Sequence, residues 1–386
     1  MKFRHLSQFE KELWKCGRCA YCVDEEICPS YRLIGFESGA AKGRILIARA
    51  LLNNKLDFSS DLVENLNLCF MCGACKERCK TAAKIDTVKI FLAMRKESID
   101  LGLYPEKLLP RYEKLKQFGN PFGLPKDERG SWAEEYNLPS KGETLYFVGC
   151  YESYVHSNIP EAFIKILEKA GITPAYLGND EPCCGHLLIW EGRLEDAKEY
   201  AKQGIKVIEK SGAKRVVFSC PACYAAFKVE YPEILGIKPP FEILHATEFL
   251  ANLIEQGKIK PEKEVKERVT YHDPCSLGRH SEVYDAPRKI LRSIPGLEVN
   301  EMERNGRFSF CCGSGSGAIT PILYEDFSKK IGKLRLEEAK NVADVVVTEC
   351  PQCLSQFRLV KSEYGINVEP KSLIILLAQA LGINIT

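Results

Sequence analysis

The chain has 386 residues, of which 45% are hydrophobic and 27% are charged, and its formal net charge is +2. This composition is that of a globular protein with room for two or three domains, and the balanced charge gives no indication of nucleic-acid binding. No apolar stretch reaches the ~18 residues that a membrane span needs, and the polar N-terminus does not resemble a signal peptide. We therefore expect a cytoplasmic protein that reaches a membrane only through a partner.

Two four-cysteine runs come first along the chain. They occupy positions Cys16, Cys19, Cys22, Cys28 and Cys69, Cys72, Cys75, Cys79. The second run has the spacing C-x2-C-x2-C-x3-C of bacterial-type ferredoxins, in which the fourth cysteine of each run binds the other cluster. This resemblance implies two cubane 4Fe-4S clusters, one on Cys16, Cys19, Cys22 and Cys79, and the other on Cys69, Cys72, Cys75 and Cys28. The sequence departs from the usual pattern in the longer loop before Cys28 and in Lys80, where proline is usual.

Zinc is the alternative for these runs, because C-x2-C pairs also build tetrahedral zinc sites. Zinc ribbons use pairs of cysteines, whereas each run here is a triplet that a fourth cysteine completes, so the spacing favours iron. The residues between the runs have helical apolar spacing over 39–52 and 59–69. We therefore predict an all-helical ferredoxin domain over residues 1–100 and no β-hairpins there.

The other ten cysteines form two five-cysteine sets that share one pattern. The sets are Cys150, Cys183, Cys184, Cys220, Cys223 and Cys275, Cys311, Cys312, Cys350, Cys353. Their flanks repeat as well, with Cys-Cys-Gly in the middle of each set and Cys-Pro-x-Cys at its end. Such self-similarity indicates a duplicated domain. All eighteen cysteines are thus assigned to a group, which is most simply explained by an electron-handling protein, since thiolate is the soft ligand of iron–sulfur clusters.

Short apolar runs lead into the cysteines of both sets: LYFVGC, RVVFSC, RVTYHDPC and DVVVTEC. They alternate with helical patterns, which predicts βαβ units and a parallel sheet in each copy, with the cysteines gathered at the carboxyl ends of the strands. Five thiolates exceed the four that a cubane needs, so either one is spare or the cluster is unusual. A vicinal disulfide in each Cys-Cys pair is the alternative, but it leaves the repeated distant cysteines unexplained.

With these motifs the chain resembles the CCG-domain iron–sulfur oxidoreductases. The order of its domains is similar to that of the D subunit of heterodisulfide reductase and of the iron–sulfur subunits of anaerobic glycerol-3-phosphate dehydrogenase, glycolate oxidase and benzoyl-coenzyme A reductase. The resemblance implies a multidomain fold, with the helical ferredoxin domain (1–100), a connector (101–142) and two Rossmann-like α/β CCG domains (143–264 and 265–386). It also implies a noncubane 4Fe-4S cluster on each five-cysteine set, in addition to the two cubanes.

The expected function is that of an oxidoreductase subunit in a larger complex. No nucleotide-binding fingerprint is present, so electrons would come from a flavoprotein or another redox subunit. They would pass through the cubanes to the noncubane clusters, where a disulfide is reduced or electrons leave. The alternative is a relay subunit of an FAD-linked 2-hydroxy-acid or glycerol-3-phosphate dehydrogenase that delivers electrons to quinone.

Two histidines beside the cysteine motifs are the candidate catalytic residues. His272 lies three residues before Cys275, and His186 follows Cys-Cys-Gly directly. An imidazole near a leaving thiolate can deliver a proton, although a structural role is the simpler interpretation of each. Arg279, Arg288 and Lys289 are candidates for holding an anionic substrate, with a solvated helix face as the alternative.

Overall fold

The computed structural model describes residues 3–17, 19–315 and 317–385. Up to Asp100, the described residues form seven α-helices and no strand. The helices are α1 (Arg4–Ser7), α2 (Glu10–Lys15), α3 (Pro29–Ile34), α4 (Ala41–Leu52), α5 (Ser60–Asn67), α6 (Ala74–Cys79) and α7 (Thr87–Asp100), with a 3₁₀ turn over Glu37–Gly39. The two helices predicted between the cysteine runs are therefore present, as α4 and α5.

Helix α7 attaches this helical segment to the rest of the chain. Asp86 begins it as an N-cap, because its carboxylate accepts the Lys89 N–H at 3.2 Å. Most of the helix is buried, including Arg95, which is 2% exposed. Its guanidinium donates to the carbonyl of Trp190 at 2.7 Å and to that of Cys69 at 3.0 Å. A buried charge is tolerated here because carbonyl oxygens accept its hydrogen bonds.

A connector follows, with α8 (Leu109–Phe118) and 3₁₀ turns over Glu106–Leu108, Lys126–Glu128 and Ser131–Tyr136. Trp132 at its end is 8% exposed, and the indole donates to the Tyr176 hydroxyl at 3.1 Å. The connector therefore packs on the α/β region that comes next.

The first α/β region contains a parallel sheet of order β1-β2-β3. Its elements are β1 (Thr144–Phe147), α9 (Cys150–Val155), α10 (Asn158–Lys169), a 3₁₀ turn (Gly178–Asp180), α11 (His186–Glu191), α12 (Leu194–Lys210), β2 (Arg215–Phe218), α13 (Pro221–Ala225), a π-helix (Ala226–Leu235), β3 (Glu242–His245) and α14 (Ala246–Glu255). β1 and β2 are almost wholly buried, as expected for parallel strands covered by helices on both faces.

The second α/β region repeats this arrangement with a parallel sheet of order β5-β4-β6-β7. Its elements are β4 (Arg268–Tyr271), α15 (Asp285–Ser293), β5 (Glu298–Val299), a 3₁₀ turn (Gly306–Phe308), α16 (Ile319–Leu323), α17 (Glu325–Lys340), β6 (Val345–Thr348), α18 (Pro351–Tyr364), β7 (Glu369–Ser372) and α19 (Leu373–Ala380). The first region has an isolated parallel bridge between Ala175 and Leu145 of β1. This bridge is equivalent to the pairing of β5 with β4 in the second region. The predicted duplication and the parallel α/β sheets are confirmed.

The two α/β regions pack on each other through equivalent helices. α14 lies against α15, and α10 lies against α19. Helix α10 of the first region is equivalent to α15 of the second, and α14 is equivalent to α19. The α14–α15 contact is therefore equivalent to the α19–α10 contact, so an approximate twofold axis relates the two regions. A shared apolar core fills the interface, with Phe163, Leu250, Ile290 and Leu377 wholly buried. None of the described helices is both long and apolar enough to cross a membrane.

His245 makes the stability of the first α/β region sensitive to acid. Its ring is wholly buried, with Nδ1 accepting the Thr247 N–H at 3.2 Å and Nε2 lying 3.0 Å from the Ser219 carbonyl. Burial lowers the pKa of His245 to about 3. The neutral ring therefore stabilises the fold above the unfolded pKa of about 6.5, and that contribution is lost as the pH falls toward 3.

We expect the free energy of unfolding to fall by about 2 kcal/mol more in the wild type than in a His245→Asn variant between pH 7.5 and pH 5. Asparagine keeps a donor and an acceptor but does not titrate. Denaturant titrations at the two pH values measure the difference, and parallel losses in both proteins would show that His245 is not responsible.

Candidate metal centres

The first cavity in the helical segment is lined by thiols from both four-cysteine runs. It has a volume of about 370 Å³, and its cysteines are Cys16, Cys19, Cys22, Cys75 and Cys79. The first three come from the loop between α2 and α3, and the last two lie on α6. The Cys79 sulfur accepts the Ile85 N–H at 3.2 Å. Burial raises the pKa of Cys22 to about 12, so an unpartnered thiolate is costly here and a cation is the natural compensation.

The second cavity has a nearly equal volume, about 360 Å³. Its cysteines are Cys28, Cys69, Cys72 and Cys75. Each run therefore contributes its fourth cysteine to the cavity of the other run, which is the crossed grouping that the ferredoxin resemblance implies. Cys75 lines both cavities, so the two are direct neighbours.

The first five-cysteine set gathers at the carboxyl ends of the strands, where the parallel sheet was expected to place it. Cys150 follows β1, Cys220 follows β2, and the Cys183–Cys184 pair lies in the loop before α11. The sulfurs of Cys184 and Cys223 are 3.3 Å apart. Contact with the thiols of Cys150 and Cys184 lowers the pKa of Cys183 well below its usual range. Cys220 contacts the thiol of Cys223, so all five side chains form one group.

The second set is built in the same way. The sulfurs of Cys312 and Cys353 are 3.1 Å apart, and Cys311 also contacts Cys312. In both copies the glycine of Cys-Cys-Gly donates its N–H to the first sulfur, at 3.4 Å from Gly313 to Cys311 and at 3.5 Å in the first copy. Neither Cys-Cys pair forms a disulfide in the structure.

The second cavity and the second five-cysteine set touch. The thiol of Cys72 makes a hydrogen-bonding contact with that of Cys311, which contributes to a raised pKa of Cys72. Beside this contact, the buried Arg279 donates to the Cys72 carbonyl at 2.5 Å and to the Ser309 carbonyl at 2.5 Å. One side chain thus joins the helical segment to the second α/β region where their cysteines meet.

A further, narrow cavity lies between the two α/β regions and the helical segment. Its lining includes four cysteines of the second set, His186, Trp190 and Ala222 from the first region, and Phe70 and Met71 from the helical segment. This cavity therefore brings thiols of the second set together with side chains of the first region and of the helical segment.

The two candidate histidines occupy different surroundings. His186 lines this cavity, and its Nδ1 lies 3.0 Å from the buried Glu230 carboxylate, which also accepts the Trp190 indole N–H at 3.0 Å. Hydrogen bonding at Nδ1 fixes the orientation of the ring. The structure therefore places His186 on the wall of this cavity with its ring held in one orientation.

His272 lies against the second five-cysteine set, with a ring nitrogen within 4.8 Å of the sulfurs of Cys312 and Cys353. Arg335 donates to its Nδ1 at 3.1 Å, and burial holds the pKa of His272 well below its usual range. The ring is thus neutral with its hydrogen on Nε2, so it can donate a hydrogen bond to sulfur but is a poor acid.

Known proteins share this arrangement of motifs. The cysteine-rich domain CCG matches residues 144–228 and 269–358, and a 4Fe-4S dicluster domain matches residues 12–83. Over 97% of this chain and 95% of the relative, the sequence is 34% identical to the D subunit of the dihydromethanophenazine:CoB–CoM heterodisulfide reductase of Methanosarcina acetivorans. The chain belongs to this CCG-domain iron–sulfur family.

Two more distant relatives are longer proteins. The chain is 33% identical to the B subunit of the CoM/CoB fumarate reductase of Methanothermobacter marburgensis, over 75% of this chain and 56% of the relative. It is also 33% identical to the probable iron-sulfur-binding oxidoreductase FadF of Bacillus subtilis, over 78% of this chain and 45% of the relative. The predicted family is confirmed, and the match to a 4Fe-4S domain favours iron over zinc at the N-terminal runs.

The first CCG set has a charged neighbour that the sequence did not reveal. The buried Glu181 accepts the N–H groups of Val148 and Gly149, both at 2.8 Å, and Arg129 of the connector donates to it at 3.0 Å. The second copy has Ser309 in the equivalent position, two residues before Cys-Cys-Gly. In the sequence, only this difference between the two copies points to the Glu181–Arg129 pair. No pattern in the connector distinguishes Arg129 from its neighbours.

A groove of about 1450 Å³ leads from the connector to Cys183 of the first CCG set. Its charged lining residues are Lys116, Lys126, Arg129, Lys141, Lys210, Asp180 and Glu181. Five positive and two negative side chains leave an excess of three positive charges, so the groove attracts anions.

The three predicted anion-binding residues are engaged elsewhere. Arg279 is buried against backbone carbonyls, Arg288 pairs with Asp273 at 2.6 Å, and Lys289 pairs with Glu255 at 2.6 Å on the surface. Adjacent carboxylates and carbonyls already satisfy these three charges, and Lys289 lies on the solvated helix face that was the alternative to substrate binding.

Proposed function

We propose that the chain is an electron-transferring subunit of a disulfide-reducing complex with four 4Fe-4S clusters. Two cubanes would lie in a helical ferredoxin domain over 1–100, with the crossed ligand sets described above. The connector (101–142) would lead to CCG domains over 143–264 and 265–386, each with a noncubane cluster on its five cysteines. When bound, the clusters would supply one-electron transfer and, at the CCG sets, cleavage of a sulfur–sulfur bond.

The observation that supports this proposal most strongly is that three groups of cysteines lie next to one another. Cys75 borders both cavities of the helical segment, and Cys72 touches Cys311 of the second CCG set. Electrons that enter at the first cavity would therefore pass through the second cavity to the second CCG set. Both CCG sets are complete, which favours chemistry at these sites over a simple relay.

The reaction would consume two electrons and two protons for each disulfide and would release two thiols. The cavity beside His186 would hold the reacting sulfur atoms, and His186, oriented by Glu230, would deliver one of the protons. The positive groove that ends at Cys183 would admit a substrate with anionic groups. His272 would act through a hydrogen bond to sulfur.

Another relative supports a relay function as a second candidate. The EtfAB:quinone oxidoreductase of Syntrophomonas wolfei is 33% identical to the chain, over 74% of it and 42% of the relative. On this alternative, an FAD-linked dehydrogenase would be the donor and quinone the acceptor. Both candidates require a complex with a flavoprotein or another redox subunit, and a membrane-associated partner fits either one.

Iron analysis of anaerobically purified protein tests the cluster content. We expect about sixteen irons per chain, in keeping with four clusters of four irons. About eight irons would restrict the clusters to the helical segment and would overturn the proposal for the CCG sets. Addition of a disulfide or a quinone to the reduced protein then distinguishes the two candidate functions. Oxidation of the clusters by the disulfide supports disulfide reduction, and oxidation by quinone alone supports the relay function.

Arg279 should raise the reduction potentials of the clusters that it adjoins. Replacing it with glutamine removes a buried positive charge, so we expect the potential at the second CCG set to fall on the order of 50 mV. A redox titration followed by paramagnetic resonance measures the shift. Lys289→Gln is the matched control, since its partner Glu255 lies on the surface, and equal potentials in the two variants would contradict the prediction.

A further inference from the structure

Exposed aromatic side chains surround the first cavity of the helical segment. Trp14 is 55% exposed, Tyr21 is 61% exposed and Phe308 is 48% exposed. Tyr21 also lines the cavity, so one ring connects the cysteines to solvent. Aromatic rings bury large apolar areas when they are covered, and a group of exposed rings is therefore a feature of interaction surfaces.

Two arginines complete this surface. The Arg49 guanidinium lies 4.0 Å from the centre of the Trp14 ring and donates to the Cys16 carbonyl at 3.1 Å. Arg78 lines the cavity and lies 4.6 Å from the centre of the Phe308 ring. Aromatic residues and arginine are the types enriched in the cores of protein interfaces.

Three cationic side chains on this surface have no carboxylate partner in the part of the chain that the structure describes. Lys15 is exposed next to Trp14, and within the described residues neither it nor Arg49 nor Arg78 forms an ion pair with a carboxylate. The lysines of the positive groove lie around Cys183, so they are not part of this surface. An unpaired cationic group on an exposed face attracts a negatively charged partner and orients its approach.

The cysteines of this cavity are also the most accessible of the helical segment. Cys19, Cys22 and Cys79 of the first cavity are half-buried and Cys16 is buried, whereas Cys28, Cys69 and Cys72 of the second cavity are all buried. Cys75, which lines both cavities, is half-buried. The second cavity borders the second CCG set and is covered by it. Among the described cysteines of the helical segment, those of the first cavity are therefore the ones that an external donor can approach most closely.

We propose that Trp14, Lys15, Tyr21, Arg49, Arg78 and Phe308 form a docking face for an acidic one-electron carrier protein. The inference rests on the proposed function, because it specifies the donor to the first cluster. Each encounter would transfer one electron from the reduced carrier to this chain, and no atoms would be exchanged. A small face of this kind suits a transient redox complex, which must dissociate after each transfer.

The test measures how fast the cluster-loaded full chain is reduced. A strongly acidic ferredoxin, reduced beforehand, is mixed with the protein in a stopped-flow instrument at several ionic strengths. We expect the second-order rate constant to fall as salt is added, and to fall ~10-fold in a Trp14→Ala, Lys15→Glu variant. Reduced methyl viologen, a small donor that needs no docking face, should reduce the variant and the wild type at equal rates.

Phe36→Ala is the matched control, because Phe36 is 74% exposed but lines neither cavity of the helical segment. Its rate constant with ferredoxin should stay within about twofold of the wild type. Lys15→Glu alone, which leaves the Trp14–Arg49 contact intact, should lower the rate and weaken its salt dependence.

Equal ferredoxin rates in all variants would overturn the docking face. Faster reduction by a lysine-rich carrier than by the ferredoxin would overturn the charge of the proposed donor. A dimer in light scattering that Trp14→Ala dissociates would show that a second copy covers the face instead. A failure of the proposed function would give a different result. Reduced methyl viologen would then reduce only the clusters of the helical segment, in the wild type and in every docking variant.

Discussion

Cys312→Ser should remove the cluster of the second CCG set and lower disulfide reduction at least ~100-fold. Cys312 contacts both Cys311 and Cys353, and it also faces the cavity that would hold the substrate. A serine hydroxyl is a harder and far less acidic ligand than a thiol, so it does not replace the sulfur. Iron should fall by about four per chain, while the paramagnetic signals of the cubanes persist.

Cys184→Ser is the equivalent substitution in the first CCG set. Cys184 has the position of Cys312 in the first copy, and its sulfur lies 3.3 Å from that of Cys223. It should also cost about four irons, and the two substitutions together about eight, since the two CCG sets share no cysteine. Full iron content in Cys312→Ser would mean that Cys312 is not a ligand. Loss of the cubane signals would mean that the second set supports the fold of the whole chain.

Much of this arrangement could be predicted because the cysteine positions are strongly constrained. Runs such as RVVFSC place a thiol immediately after a buried strand, and parallel strands bring such thiols to one edge of the sheet. The repeat allows the same inference in each copy, and both sheets are parallel with equivalent strands in the same order. Local spacing was similarly sufficient for α4 and α5.

Contacts between the parts of the chain could not be read in the same way. Arg279 was grouped with Arg288 and Lys289 because the three are close in sequence, yet only Arg279 points to the Cys72 carbonyl. The contact of Cys72 with Cys311 joins residues that no local pattern links. Glu181 and Arg129 likewise meet only after the connector packs on the first α/β region. Periodicity reports which face of an element is buried but not which neighbour covers it.

Among the residues that surround the cysteines of the first CCG set, Gly149 should tolerate substitution least. It has a φ of +81°, and an added Cβ would lie 2.7 Å from the Cys223 sulfur. Its N–H also donates to Glu181 at 2.8 Å, so the backbone cannot move away without breaking a buried hydrogen bond. We expect Gly149→Ala to lower the free energy of unfolding by about 3 kcal/mol and to reduce the iron content by about four per chain.

Gly171→Ala separates the steric effect of the added methyl group from the cost of the left-handed backbone. Gly171 has a φ of +70°, and nothing lies within 4 Å of its added Cβ. It should incur only the backbone penalty of about 1 kcal/mol and keep all its iron. Denaturant titration and iron analysis of both variants therefore isolate the crowding against Cys223 from the cost of a left-handed alanine. If the variants lose equal stability and no iron, the turn at Gly149 has room for a methyl group, and the close approach of β1 to the cysteines does not position the first CCG set.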